Sequence, residues 1–133
     1  MVVLLDTNII IDHLRQPSGK SILSLLVQNP SYELQISVIS MQELYTGSST
    51  LHIQKEKDLV TTTSQFRIVS YTYEIAKLAG TIERDLKKPI GFADAAIAAT
   101  AITNGAALAT LNERDFAGIE SLTLMHGSFP STS

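Results

Sequence analysis

The sequence contains no cysteine. This absence excludes a disulfide framework, a thiolate metal site and a cysteine nucleophile. No basic N-terminal segment precedes a long apolar run, so no secretory signal is predicted. No apolar run approaches the roughly 20 residues that a membrane-spanning helix needs. Together these absences predict a cytoplasmic protein without membrane contact.

The chain also lacks an excess of positive charge. Its 13 acidic residues outnumber its 10 lysines and arginines, and the formal net charge is −3. Proteins that bind nucleic acid by charge alone are usually basic. If the chain acts on RNA, bound metal ions and local patches of lysine and arginine have to offset its acidity.

Short apolar runs alternate with helical patterns over the 133 residues, a length that fits one domain with one core. Strands are predicted at 2–5, 34–38, 66–70, 106–110 and 121–125. Helices are predicted at 7–15, 18–28, 40–45, 51–65, 73–88 and 94–102. Such alternation is typical of an α/β fold, here a three-layer α/β/α sandwich around a mostly parallel central sheet of four to five strands.

Four acids stand at prominent places in this pattern: Asp6, Glu43, Asp94 and Asp115. Each has a purely structural explanation. Asp6 follows the first strand and can cap the next helix. Glu43 can form a capping box with Ser40. Asp94 opens an alanine-rich helix, where the helix dipole favours an acid, and Asp115 stands three residues after Asn112, a cap-like spacing.

The positions of the four acids favour a shared site. Three of them, Asp6, Glu43 and Asp115, follow predicted parallel strands, and ligands of open α/β sheets bind outside the carboxyl ends of the strands. The fourth, Asp94, begins a helix too apolar to lie at the surface. Acids gathered in one crevice repel one another by several kcal/mol per close pair at an effective dielectric of about 20. Mg²⁺ or Mn²⁺ would relieve that repulsion, hold a phosphate and activate a water.

The same segments resemble a known family. "LLDTNIIID", "ISVISMQELYTG", "FADAAIAATAI" and "ATLNERDF" look like the four acidic motifs of the PIN-domain ribonucleases, and in particular those of the VapC toxins of prokaryotic toxin–antitoxin pairs. The likeness extends from Val2 to about Met125. It implies a PIN-like nuclease domain over residues 1–126, followed by a flexible tail at 127–133.

The resemblance also implies an activity. The catalytic, metal-binding carboxylates would be Asp6, Glu43, Asp94 and Asp115, with Mg²⁺ or Mn²⁺ as the cofactor. Some relatives place the fourth acid nearer the strand, where this chain has Asn112, so either residue completes the set. Polar residues supporting the site would be Thr7, Asn8, Thr110 and Asn112. The implied reaction is endonucleolytic hydrolysis of RNA, leaving a 5′-phosphate and a 3′-hydroxyl without a covalent intermediate.

Partners follow from charge, apolar surface and the same resemblance. Arg114 lies inside an acidic motif and is the candidate for binding a substrate phosphate. The first two predicted helices and residues 44–53 carry apolar residues on more than one face. VapC-like proteins dimerise and bind an antitoxin peptide across a groove, so a homodimer and a cognate antitoxin are expected.

Two other functions require residues that this chain lacks, and a third stays open. A haloacid-dehalogenase-like phosphatase needs a second aspartate where this chain has Asn8. A receiver-type phosphoacceptor needs a lysine just after a late strand, and "ATLNERDF" has none. The remaining alternative is a catalytically silent PIN-like domain that binds RNA or protein without cutting.

Overall fold

The computed structural model describes residues 1–16 and 19–125 of the chain. The strands are β1 (Val2–Leu5), β2 (Glu33–Ser37), β3 (Arg67–Val69) and β4 (Ala107–Ala109). The α-helices are α1 (Thr7–Arg15), α2 (Ile22–Val27), α3 (Val38–Thr46), α4 (Ile53–Thr63), α5 (Tyr73–Asp85) and α6 (Phe92–Thr103), and 3₁₀ helices cover Ser48–Leu51 and Glu113–Phe116. The predicted tail at 127–133 lies outside the described residues.

The four strands form one sheet in the order β3-β2-β1-β4. Every neighbouring pair is parallel, so all four carboxyl ends lie at one edge of the sheet. From β1 the chain moves first to one side, through β2 and β3, and later returns to the other side as β4. The junction of β1 and β4 is therefore the point at which the strand order reverses, where open α/β sheets bind their ligands.

Helices cover both faces of the sheet. Side chains of β1 alternate between them: Val3 and Leu5 belong to one buried cluster with residues of α1 and α2, and Leu4 to another with residues of α6. The alanine-rich α6 is buried along most of its length, and Ala95 and Ala99 pack against α5. The predicted three-layer α/β fold is thus confirmed, with four strands in the described part of the chain.

The predicted fifth strand at 121–125 is wrong. Here the structure has a single parallel bridge between Leu124 and Leu108, closed by hydrogen bonds from Leu108 N to Thr123 O and from Met125 N to Leu108 O. The partner strand β4 is only three residues long, so it offers little edge along which this segment can pair.

Several helix ends also differ from the predictions. Helix α2 begins at Ile22 rather than residue 18, because the Ser21 hydroxyl accepts a hydrogen bond from Ser24 N and caps the helix there. Helix α3 begins at Val38, two residues before the predicted start, because Ser37 is its N-cap. No helix in the part of the chain that the structure describes is long and apolar enough to cross a membrane.

Candidate active site

Asp6 stands at the end of β1, on the junction with β4, and is 5% exposed. Its Oδ1 accepts a hydrogen bond from Thr7 N at 2.7 Å, so it is the N-cap of α1, as its structural explanation predicted. Its Oδ2 accepts a second hydrogen bond, from Thr110 Oγ1 at 2.7 Å. The cap therefore accounts for one oxygen, and the other is held by a residue 104 positions away.

Thr110 connects the loop after β4 to this carboxylate. Its hydroxyl oxygen accepts from Asn112 N at 3.0 Å and from Asn8 Nδ2 at 3.3 Å. With the oxygen accepting from two donors, the hydroxyl hydrogen is directed to Asp6. The Asn8 side chain also accepts from Leu111 N at 3.2 Å, so the predicted supporting residues Asn8 and Thr110 do lie together at the strand junction.

Glu43 reaches the same region from the second turn of α3. The Thr7 hydroxyl donates a hydrogen bond to Glu43 Oε1 at 2.6 Å and also lies 2.9 Å from the buried Ser40 Oγ. The predicted capping box of Ser40 and Glu43 is wrong, because Ser37 caps α3 by accepting from Ile39 N. Glu43 is exposed and directed to Thr7 instead.

Asp94 lies in the first turn of α6 and is partly exposed. No hydrogen bond to its carboxylate occurs within residues 1–16 and 19–125. Burial, followed by the charges of Asp6, Asp115 and Glu43, raises the pKa of Asp94 to about 6. Asp94 thus makes no cap hydrogen bond to α6, whose N-cap is Gly91, and its place in the first turn is the one predicted from the helix dipole.

The pKa of Asp6 is raised as well. Burial is the largest cause, opposed by the hydrogen bonds from Thr110 and Thr7, and the charges of Glu43 and Asp115 raise it further. The charges of Glu43 and Asp115 thus act on both Asp6 and Asp94, and the charge of Asp6 acts on Asp94 as well. No basic side chain contributes to the pKa of Asp6 or Asp94, so the repulsion among the acids is uncompensated.

Asp115 and Asn112 form the cap-like pair that their spacing predicted. Asn112 Nδ2 donates to Asp115 Oδ2 at 2.7 Å. Both residues come from the segment after β4, but only Asp115 adds negative charge to the cluster. The structure therefore gives the two residues different places, with the amide of Asn112 holding the carboxylate of Asp115.

The donor set has the chemistry of a site for a hard divalent cation. It consists of carboxylates that repel one another, and Mg²⁺ and Mn²⁺ prefer carboxylate oxygens. Among the described residues, no three histidine, cysteine, aspartate or glutamate side chains already meet as a ready-made metal site. Uncompensated carboxylates resist closer approach, and a bound cation removes that resistance.

Arg114 is exposed, one residue before Asp115. Its backbone oxygen accepts a hydrogen bond from Lys88 Nζ at 2.6 Å, whereas its guanidinium has no hydrogen-bond partner in the described part of the chain. Its predicted contact with phosphate stays a prediction.

Sequence reasoning missed two features. One is the contact of Ser40 with Thr7. The sequence feature that could have indicated it is the position of Ser40 three residues before Glu43, which puts both side chains on the same helix face. The other is a cavity of about 400 Å³ that begins at Glu43 and extends between α1, α3 and α4. Its lining combines apolar Ile11, Leu14, Leu44 and Leu59 with the charged Arg15, Lys55 and Asp58.

Comparisons with known proteins agree with this fold. The family model described as PIN domain matches residues 3–121. VapBC2 from Rickettsia felis, whose structure was solved with a DNA fragment from its promoter, is 25% identical to this chain. The two structures align with a TM-score of 0.82, and the alignment covers 94% of this chain and 98% of that one. VapBC-1 from nontypeable Haemophilus influenzae is 28% identical with a TM-score of 0.75, covering 94% and 97%. A toxin–antitoxin complex from Klebsiella pneumoniae is 27% identical with a TM-score of 0.74, covering 97% and 99%. The sequence matches no curated protein significantly.

Proposed function

This chain belongs to the PIN domain family, as its four acidic motifs predicted, and from that premise we propose that it is a metal-dependent endoribonuclease and the toxin of a toxin–antitoxin pair. It would act in the cytoplasm on RNA phosphodiester bonds. The observation that supports this best lies at the carboxyl edge of the parallel sheet, where burial and the charges of Glu43 and Asp115 raise the pKa of both Asp6 and Asp94, and no basic side chain is among the causes.

Asp6, Glu43, Asp94 and Asp115 would hold Mg²⁺ or Mn²⁺, and such an ion, when bound, supplies positive charge for the scissile phosphate and lowers the pKa of a water. Thr110 and Thr7 N favour the ionised form of Asp6, because hydrogen bonds to a carboxylate lower its pKa. The Thr7 hydroxyl fixes the carboxylate of Glu43, and the Asn112 amide fixes that of Asp115. The supporting residues therefore orient acids from three separate segments before any ligand arrives.

Hydrolysis follows in-line attack of water on phosphorus. The bond from phosphorus to the 3′-oxygen breaks, which leaves a 5′-phosphate and a 3′-hydroxyl. The guanidinium of Arg114 is exposed and makes no hydrogen bond within the described residues, which supports a role in binding a substrate phosphate. We assign it that role as part of the proposal.

The test is incubation of structured RNAs with the protein in Mn²⁺ and in EDTA. We expect cleavage in Mn²⁺ alone, with 5′-phosphate ends on the products. Asp94→Asn should abolish cleavage, and the matched control is Glu74→Gln, which alters an acid in the first turn of α5. Wild-type protein that binds RNA but does not cut it in Mn²⁺ would favour the catalytically silent alternative.

An antitoxin partner is supported by the solved toxin–antitoxin complexes to which the chain is similar. Beside the cavity at Glu43, Leu51 and Ile53 are 84% and 75% exposed, as the apolar excess at 44–53 predicted. We propose that apolar antitoxin side chains cover this surface and that a basic one reaches the carboxylates.

A basic side chain among the carboxylates competes directly with the metal ion. Inhibition of the nuclease by the antitoxin should therefore weaken as Mn²⁺ is raised in an assay of the complex. Inhibition that does not change with Mn²⁺ would mean that the antitoxin blocks RNA by its bulk.

We also propose a homodimer, because Leu25 and Val27 of α2 are 43% and 45% exposed; light scattering of the purified protein tests this.

A further inference from the structure

One phenylalanine in the described residues is placed differently from the others. Phe66 and Phe116 are 8% and 2% exposed, as expected for core residues, but Phe92 is 63% exposed. Single exposed apolar residues are common on protein surfaces and need no explanation by themselves. What distinguishes Phe92 is its position and its neighbour.

Phe92 is the first residue of α6 and lies two residues before Asp94. Both residues therefore belong to the first turn, which spans about 5.4 Å of helix. Side chains two positions apart leave a helix on nearly opposite sides, and both lean toward its N-terminus. Asp94 is directed to the acidic cluster, so Phe92 flanks the site on the other side of the helix end.

The ring of Phe92 is held by a second aromatic ring. The centroids of Phe92 and Tyr71 are 6.5 Å apart, and the ring planes are tilted by 55°. Tilted pairs at this distance are favourable for aromatic side chains. Tyr71 itself packs against the buried cluster between α5 and α6, so it anchors the exposed ring to the core.

We propose that Phe92 is a substrate-binding residue that stacks on a base of the RNA next to the scissile phosphate, with Tyr71 positioning its ring. This inference depends on the proposed nuclease function. Phe92 and Asp94 share the first turn of α6 but leave it on opposite sides, so a strand whose phosphate lies at Asp94 would bend around the N-terminus of the helix to bring an adjacent base onto the ring. Single-stranded RNA is commonly bound by stacking its unpaired bases on aromatic side chains.

Stacking also suits the charge of this protein. The formal net charge of −3 gives little general attraction for a polyanion. Stacking on a ring does not depend on net charge and tolerates different bases, since every base has a π-face. An aromatic platform beside the acids therefore supplies affinity that the overall electrostatics of the chain do not.

Phe92→Leu and Phe92→Trp separate stacking from simple apolar contact. Leucine keeps an apolar side chain but has no ring, whereas tryptophan keeps a ring. The probe is a short, fluorescently labelled single-stranded oligoadenylate, and its affinity is measured by anisotropy in Ca²⁺. The control change is Tyr73→Leu, which removes a ring that is 76% exposed but does not pair with Phe92.

We expect Phe92→Leu to weaken binding about 5- to 150-fold, which corresponds to the loss of one stacked base. Phe92→Trp should bind at least as well as the wild type, and Tyr73→Leu should be unchanged. An abasic oligomer of equal length should bind wild type and Phe92→Leu equally. The salt dependence of binding should be the same for both proteins, because no phosphate contact is lost.

Two results would overturn the inference. Equal binding by Phe92→Leu and the wild type would show that the ring contributes no stacking. A shift of Phe92→Leu from dimer to monomer, with loss of affinity for the abasic oligomer as well, would place Phe92 in an interface between two copies of the chain. Wild-type protein that neither binds nor cuts RNA would instead contradict the proposed function itself.

Discussion

Asp94→Asn should make the metal-free protein more stable at neutral pH. Burial and three neighbouring acids raise the pKa of Asp94 from 3.8 to about 6. An unscreened shift of this size corresponds to about 3 kcal/mol of free energy of unfolding. Because Asp94 is partly exposed, solvent screening reduces this to about 1–2 kcal/mol. The change breaks no hydrogen bond to the Asp94 side chain within the described residues.

Two opposing effects act at Asp94, and their magnitudes decide whether Asp94→Asn raises or lowers the free energy of unfolding. The helix dipole favours an acid in the first turn by about 0.3–1 kcal/mol, and asparagine loses that contribution. Repulsion and desolvation are the larger effect, so the net change should be stabilising. Glu74 also lies in a first turn, so Glu74→Gln should lose only the dipole contribution.

The pH dependence follows from the raised pKa. Between pH 3.8 and about 6 the folded protein binds the proton of Asp94 more tightly than the unfolded chain, so wild-type stability falls as pH rises through this range. Below pH 3.8 the residue is protonated in both states, and the advantage of Asp94→Asn should vanish. Urea unfolding in EDTA at pH 7.5 and pH 3 measures both values. A variant less stable than the wild type at pH 7.5 would refute the repulsion argument and show that the helix dipole is the larger effect at Asp94.

Four further changes probe the packing and caps around the site. Gln35 Oε1 is buried without a hydrogen-bond partner among the described residues, so Gln35→Leu should raise the free energy of unfolding by about 1 kcal/mol. A lower free energy of unfolding in this variant would mean that the amide has a hydrogen-bond partner. Ser37→Ala should lower the free energy of unfolding by about 1 kcal/mol, because Ser37 caps α3. Glu43→Gln should not lower it, whereas a capping box of Ser40 and Glu43 would predict a loss. Thr110→Val should raise the pKa of Asp6 further and cost about 1–3 kcal/mol at pH 7.5, measured by urea unfolding; an unchanged midpoint would show that the hydroxyl does not hold the carboxylate.

The local parts of this fold could be predicted because their causes are local. An apolar run that ends at Asp6 fixes both β1 and the start of α1, and the structure has these elements at the predicted residues. Where two capping residues compete, sequence cannot choose between them. Ser37 and Ser40 are both good N-caps, and the length of β2 decided in favour of Ser37.

The site itself depends on contacts that no local pattern contains. Thr7 meets Glu43 across 36 residues, and Thr110 meets Asp6 across 104. The sequence could indicate that the acids follow parallel strands and so share an edge of the sheet. It could not show which hydroxyl holds which carboxylate, because that depends on how α3 and the loop after β4 pack at the junction of β1 and β4.

Direct titration of the protein with Mn²⁺ tests the proposed metal site most directly. Calorimetry should show binding by the wild type and by Glu74→Gln, and at least tenfold weaker binding by Asp94→Asn. Because the pKa of Asp94 is about 6, binding near pH 6 should also release protons, which appears as a dependence of the heat on the buffer. Wild-type protein that binds no Mn²⁺, or Asp94→Asn that binds it equally well, would contradict a metal site built from these carboxylates.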